Sequence, residues 1–187
     1  YNKIGERAVA IARSRLNWSY SQAKRTLEGS WDCSSMVARC YQEAGFDLKA
    51  IMGAQWCMTT VGWKDFATKN KQFIEEADLQ PGDVIWYGRP SGNHMMMYAG
   101  NGQVIHAKGE KYGTVYEPLA NTGYRSARQV YFFRPYLNLL DESADDSSDD
   151  ALLADSSGYG PDNGIVMQVP GGTVWTGWTV FESGRER

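Results

Sequence analysis

Apolar residues recur at helical spacing twice in the first quarter of the chain. Ile4, Ala8, Ile11, Ala12 and Leu16 share one side of a helix over 4–16. Met36, Val37, Cys40, Tyr41 and Ala44 share one side of a second helix that starts at Cys33. Gly45 stands where a left-handed C-cap belongs, and Ser30 or Asp32 can cap the start. Residues 17–29 are less regular, and 47–72 mixes a short helix with loops. The period then shortens to that of a strand. Leu79-Gln80-Pro81-Gly82-Asp83 is a turn signal, and Val84-Ile85-Trp86-Tyr87 behind it is strand-like. A polar loop is expected over 89–93, then two short strands, 94–99 and 103–107, flanking the hairpin signal Gly100-Asn101-Gly102. Val115-Tyr116 and Val130-Tyr131-Phe132-Phe133 supply two more strands. Helices first and consecutive strands afterwards predict an α+β domain, with N-terminal helices packed on a central antiparallel sheet.

Charge divides the chain further. Residues 1–137 hold 17 Lys and Arg against 12 Asp and Glu, whereas 138–163 hold eight acids and no base. The first stretch reads as the folded domain, the second as an acidic, serine-rich linker. Residues 164–187 carry two short strand signals, an extension or the start of a truncated module, since two strands are not stable alone. The body is mildly basic, which suits an anionic polymer and falls short of a nucleic-acid binder. Hydrophobic residues at 42% indicate a folded domain, and no apolar run approaches the roughly 18 residues that cross a bilayer. The chain begins at Tyr1 rather than methionine, consistent with a leader or upstream domain removed. Three cysteines are too few for a disulfide scaffold and match no zinc ribbon.

Chemistry enters at Trp31-Asp32-Cys33-Ser34-Ser35. Cys33 falls in the first turn of its helix, where unpaired backbone N–H groups and the helix dipole favour a thiolate. The same residue reads equally as an ordinary buried cysteine until the only two histidines, His94 and His106, are added. A base and an orienting residue must lie on one face of their hairpin. A two-residue turn at Asn101-Gly102 would turn His106 away from His94. A three-residue loop, Gly100-Asn101-Gly102, pairs Tyr98 with Val104 and Met96 with His106, and brings both imidazoles to one face. Cys33, His94 and His106 are also a zinc donor set, but no close ligand pair announces such a site, so neither metal nor cofactor is expected.

This ordered set resembles the NlpC family of papain-like cysteine peptidases over about residues 4–135. The likeness rests on Asp32-Cys33-Ser34-Ser35, on Leu79-Gln80-Pro81-Gly82-Asp83-Val84, and on His94 followed by Tyr98-Ala99-Gly100-Asn101-Gly102 and Ile105-His106-Ala107. It implies a papain-like fold, with Cys33 as nucleophile, His94 as base and His106 as the orienting third residue. It places Tyr20 near the oxyanion site, and Asp32, Ser34 and Ser35 at the substrate. It implies cleavage of peptidoglycan stem peptides at the γ-D-glutamyl–diamino acid bond, in the cell wall or outside the cell, by a cellular or phage-type enzyme. A muramoyl-alanine amidase on the same scaffold is the alternative. A silent wall-binding module using Trp175 and Trp178 is another. The chain departs from the family pattern at Trp18-Ser19-Tyr20-Ser21-Gln22, at Ser35 and at Met95-Met96-Met97, where smaller or glycine-containing segments are usual.

Overall fold

A computed structural model describes residues 3–139, together with the backbone of two short paired strands at Met167–Gln168 and Val174–Trp175. The first helix, α1, covers Lys3–Arg13 and ends a turn earlier than its apolar pattern suggests, because residues 14–17 close off as turns. The irregular stretch after it holds two strands, β1 (Ser19–Tyr20) and β2 (Ser30–Trp31), paired in parallel. Strands of two residues carry no period and leave no trace in the sequence pattern.

Helix α2 covers Cys33–Glu43 and stops as expected at Gly45. Gly45 adopts φ +100°, its N–H meets the Gln42 carbonyl, and the Phe46 N–H meets the Tyr41 carbonyl at 3.0 Å. Those two bonds are a Schellman stop, which requires the left-handed residue that glycine supplies. The mixed segment resolves into α3 (Leu48–Met52) and α4 (Thr60–Lys69), the latter capped by the Thr59 side chain.

Six strands follow as one antiparallel sheet: β3 (Phe73–Ile74), β4 (Val84–Arg89), β5 (Gly92–Gly100), β6 (Gln103–Gly109), β7 (Gly113–Pro118) and β8 (Val130–Phe133). Their spatial order is β3-β8-β4-β5-β6-β7. The polar loop expected over 89–93 is shorter, since β4 and β5 stay paired out to Arg89↔Gly92. The α+β expectation, with helices on an antiparallel sheet, matches this architecture.

The main core lies between the helices and one sheet face. Met36, Val37, Cys40, Tyr41 and Trp63 pack there against Val84, Trp86, Met95, Met97, Ile105 and Phe133. A smaller cluster of Ile85, Tyr87, Met96, Val104, Leu119 and Tyr124 covers the other face. Covering on both faces explains Met95-Met96-Met97: alternate methionines enter opposite clusters, and all three are fully buried. Helix α1 meets the turn into β4 backbone to backbone, with Gly5 against Pro81 and Gly82 so closely that a Cβ on Gly5 would overlap the Pro81 carbonyl. The Tyr41 hydroxyl donates to the Gly82 carbonyl at 2.6 Å and pins the same turn to α2.

The body extends past residue 137. Asn138 donates to the carbonyls of Asn70 and Lys71, and Leu139 packs on the main core. The chain divides into two units, Tyr1–Asp146 and Ser147–Arg187. The expected acidic linker lies outside the described residues from 140 onward. In the second unit the backbone pairs Val174 with Gln168 and Trp175 with Met167, antiparallel. Among the described residues no helix is long and apolar enough to cross a membrane.

Candidate active site

Asp32 sits in extended backbone immediately before α2 and caps it. Its Oδ1 accepts the Ser35 N–H at 2.7 Å, and the Ser35 Oγ accepts the Asp32 N–H at 2.8 Å. This reciprocal pair is a capping box, and it fixes Cys33 as the first helical residue. The thiol is 6% exposed. Its ionisation differs from the expectation. Burial, and then the Asp32 carboxylate beside it, push the Cys33 thiol up to about 11. The backbone N–H groups of Met95 and Ser34, and the cation of Arg89, pull the other way without prevailing. A helix N-terminus stabilises an anion by about 1 kcal/mol or less at most sites, and the desolvation of a buried thiolate outweighs that.

The hairpin of β5 and β6 combines both turns considered for it. Asn101 and Gly102, at φ +51° and +69°, form a two-residue tip with Gly100 opposite Gln103. A bulge at Ala99 then shifts the register, so that Tyr98 meets Val104 and Met97 meets Ile105. The extra residue restores the alternation that a tight turn alone would have inverted. The expected three-residue loop is therefore a two-residue turn plus a bulge, with the expected pairing beyond it.

The ladder between β5 and β6 ends at Met97↔Ile105, while that between β4 and β5 continues to Arg89↔Gly92. The Tyr98 N–H bonds toward β4, so alternation turns the N–H groups of Met97 and Met95 toward β6. Where the ladder ends, the Met95 N–H lies near the Cys33 sulfur. The thiol thus lies against the residue that follows His94 in the chain. The two imidazoles meet each other: His94 Nε2 and His106 Nδ1 are 2.7 Å apart, and both rings are buried. Tyr87, opposite His94 on β4, packs edge-on against its ring.

Behind His106 stands an acid that the sequence pattern did not single out. His106 Nε2 is 2.8 Å from Glu117 Oε1 on β7, and the Lys108 ammonium donates to both Glu117 oxygens at 2.8 and 2.9 Å. Glu117 is the diagonal neighbour of His106 across the ladder, a relation legible only once the β6–β7 register is known. Burial, followed by His106, holds His94 well below the usual histidine range. Burial also lowers His106 to about 4, against the pull of Glu117.

The remaining expected site residues are Tyr20, Asp32, Ser34 and Ser35. Tyr20 on β1 is half-buried and accepts a hydrogen bond from Gln22 at 3.4 Å; it is near enough to Cys33 to feel its charge. Asp32 and Ser34 are both held by Arg25, whose Nε donates to Asp32 Oδ2 at 2.7 Å and whose Nη2 donates to Ser34 Oγ at 3.0 Å. Arg25 also holds the carbonyls of Cys57 and Met58, and so ties its own loop and the 57–58 segment to the start of α2. Ser35 is fully buried in the cap. These three residues, expected to meet substrate, form the packed foundation of the Cys33 turn, because its orphan N–H groups and the buried carboxylate need internal partners. Arg89, at the exposed end of β4, stands over the Tyr87 ring at 5.9 Å and has no ion-pair partner among the described residues. No group of three or more His, Cys, Asp or Glu among the described residues is placed to hold a metal ion.

Comparison with known proteins places this arrangement. The model of the NlpC/P60 family matches residues 16–134. A Listeria seeligeri protein named Probable endopeptidase p60 is 30% identical over 111 residues, 58% of this chain and 19% of that protein. A Bacillus subtilis (strain 168) protein named Gamma-DL-glutamyl hydrolase is 35% identical over 88 residues, 46% of this chain and 18% of that protein. The chain therefore spans about a fifth of the length of these curated relatives. The solved structure of NlpC2 from Trichomonas vaginalis superposes with a TM-score of 0.51 at 27% identity, over 71% of this chain and 47% of that one. With the family match running from before Cys33 to beyond Glu117, on helices and a sheet arranged as in a solved relative, the chain belongs to the NlpC/P60 family.

Proposed function

We propose that the domain is a cysteine peptidase that cuts peptidoglycan stem peptides on the carboxyl side of γ-linked D-glutamate, in the cell wall or outside the cell. The observation that carries this reading is the buried imidazole pair, His94 to His106 at 2.7 Å, beside the backbone against which the Cys33 thiol lies. The names of the Listeria and Bacillus relatives, an endopeptidase and a γ-DL-glutamyl hydrolase, agree with hydrolysis of a peptide at a γ-glutamyl link.

The chemistry follows from the ionisation states. A thiol near 11 and histidines held low mean a neutral pair at rest, so the proton leaves sulfur as sulfur attacks. The Cys33 sulfur bonds to the amide carbon while its proton passes to His94. The carbonyl oxygen becomes an oxyanion, for which the Cys33 N–H at the helix start is a donor and the Tyr20 hydroxyl a candidate second. Collapse of this intermediate breaks the C–N bond, and His94 returns the proton to the leaving amine. Water, deprotonated by His94, then attacks the thioester carbon; the C–S bond breaks, and His94 returns the proton to the Cys33 sulfur. His106 holds the His94 ring throughout.

Two observations bear on substrate. Asp32, which the resemblance places at the substrate, already has its charge matched by Arg25. Arg89 is a cation with no ion-pair partner among the described residues, and its charge reaches Cys33, His94 and His106. A γ-glutamyl link leaves a free α-carboxylate beside the scissile bond, which suits that cation; a muramoyl-alanine link offers none. This favours the endopeptidase over the amidase. Digestion of purified peptidoglycan, read by mass spectrometry, tests the choice. Dipeptide-bearing glycan is expected; glycan stripped of intact stem peptides would mean an amidase.

A further inference from the structure

Glu117, Lys108, His106 and His94 form a continuous hydrogen-bonded series from β7 to β5. Counting donors along it leaves little freedom. An ionised carboxylate only accepts, so His106 Nε2 must carry the proton shared with Glu117. A neutral imidazole has one donor, so His106 Nδ1 is bare and must accept from His94. The proton between the rings therefore belongs to His94 Nε2, and the other nitrogen of His94, Nδ1, is the bare, basic atom. We infer that Glu117 is a positioning residue that sets the tautomer of both histidines and so makes Nδ1 of His94 the proton acceptor. This rests on the peptidase reading, and it adds to it the group that keeps the base in its working form.

Lys108 completes the device. A carboxylate next to a histidine ordinarily draws a second proton onto the ring. His106 charged at both nitrogens would donate at Nδ1, and would compete with His94 Nε2–H. Burial works to raise Glu117, but the Lys108 and His106 hydrogen bonds outweigh it and keep the carboxyl below its usual range. Lys108 also opposes charging of His106, which burial already disfavours. The carboxylate stays ionised and both rings stay neutral.

The chain has only two histidines, so a side-chain spectrum of the full protein labelled with 15N-histidine contains only this pair. At neutral pH both are expected as the Nε2–H tautomer. Glu117→Leu removes the acceptor; a mixture of tautomers is expected, with kcat on a stem tripeptide lowered by roughly tenfold or more and KM little changed. Glu117→Gln keeps an acceptor oxygen and is expected to restore the tautomer and most of kcat. A wild-type spectrum with His94 protonated at Nδ1 would overturn the inference, whether or not the variants fold. So would a Glu117→Leu protein whose kcat falls while both rings stay Nε2–H, because the glutamate would then act through packing alone. Wild-type chain that cuts no stem peptide defeats the peptidase reading instead, and the tautomer spectrum still decides the role of Glu117.

Discussion

The Asp32 carboxylate caps α2 through the Ser35 N–H and, by its charge, disfavours a thiolate on the next residue. Replacing it with asparagine keeps a capping oxygen and removes the charge. Asp32→Asn is therefore expected to lower the pKa of Cys33 below its value of about 11. The pH dependence of iodoacetamide alkylation, followed peptide by peptide, measures this, with the buried Cys40 as an internal control. Both histidines are held below the usual histidine range by burial. With His106 lowered to about 4 and His94 also depressed, both stay neutral as pH falls through 6.5. The acid limb of kcat/KM is expected below the usual histidine range, because burial and then His106 hold the base His94 down. Folding stability shows the same linkage: the unfolded chain takes up a proton near 6.5 and the folded one resists it, so stability is lost as pH falls between those values. For His106 alone the loss is on the order of 3 kcal/mol. His106→Asn should flatten that part of a plot of Tm against pH.

At the scale of elements, the β5–β6 hairpin decides whether the histidines meet. Its tip alone would put His106 on the wrong face, and the single bulged residue Ala99 corrects this. Deleting Ala99 should close the hairpin into simple alternation, separate the imidazoles, and abolish hydrolysis in a protein that still folds. Loss of the coupled histidine signals would show it; an active deletion variant would refute the register argument. The contact of α1 with the Pro81-Gly82 turn is equally local. Gly5→Ala places a methyl on the Pro81 carbonyl, and forces α1 away from the sheet. A destabilisation of about 1–3 kcal/mol is expected, measured by urea unfolding, with the site chemistry intact in the remaining folded fraction.

For the molecule as a whole, the body closes its core within the first unit, where α1, α2 and α4 pack against the sheet. Removing residues 147–187 is expected to leave peptidoglycan hydrolysis and Tm close to those of the full chain. A fall in Tm of many degrees would show that Trp175, Trp178 and Phe181 dock on the body. On the proposed function, the basic balance of the body would draw it to an anionic wall, and added salt is expected to weaken that binding in a sedimentation assay with purified peptidoglycan.

Periodicity and caps alone determined α2, its stop at Gly45 and the strand at Val130–Phe133, because each is written in neighbouring residues. Cys33 and both histidines stand out as candidates for the same reason: a cysteine at a helix start and two histidines around a turn signal are local patterns. The bulge at Ala99, the hold of Arg25 on Asp32 and Ser34, and Glu117 behind His106 were not legible. Each depends on a register or on a contact between separate segments, 106 to 117 and 25 to 58 among them, which no periodicity encodes. The ionisation of Cys33 was decided the same way. The sequence shows the helix start that favours a thiolate, but only tertiary packing buries the sulfur, and burial is the larger effect.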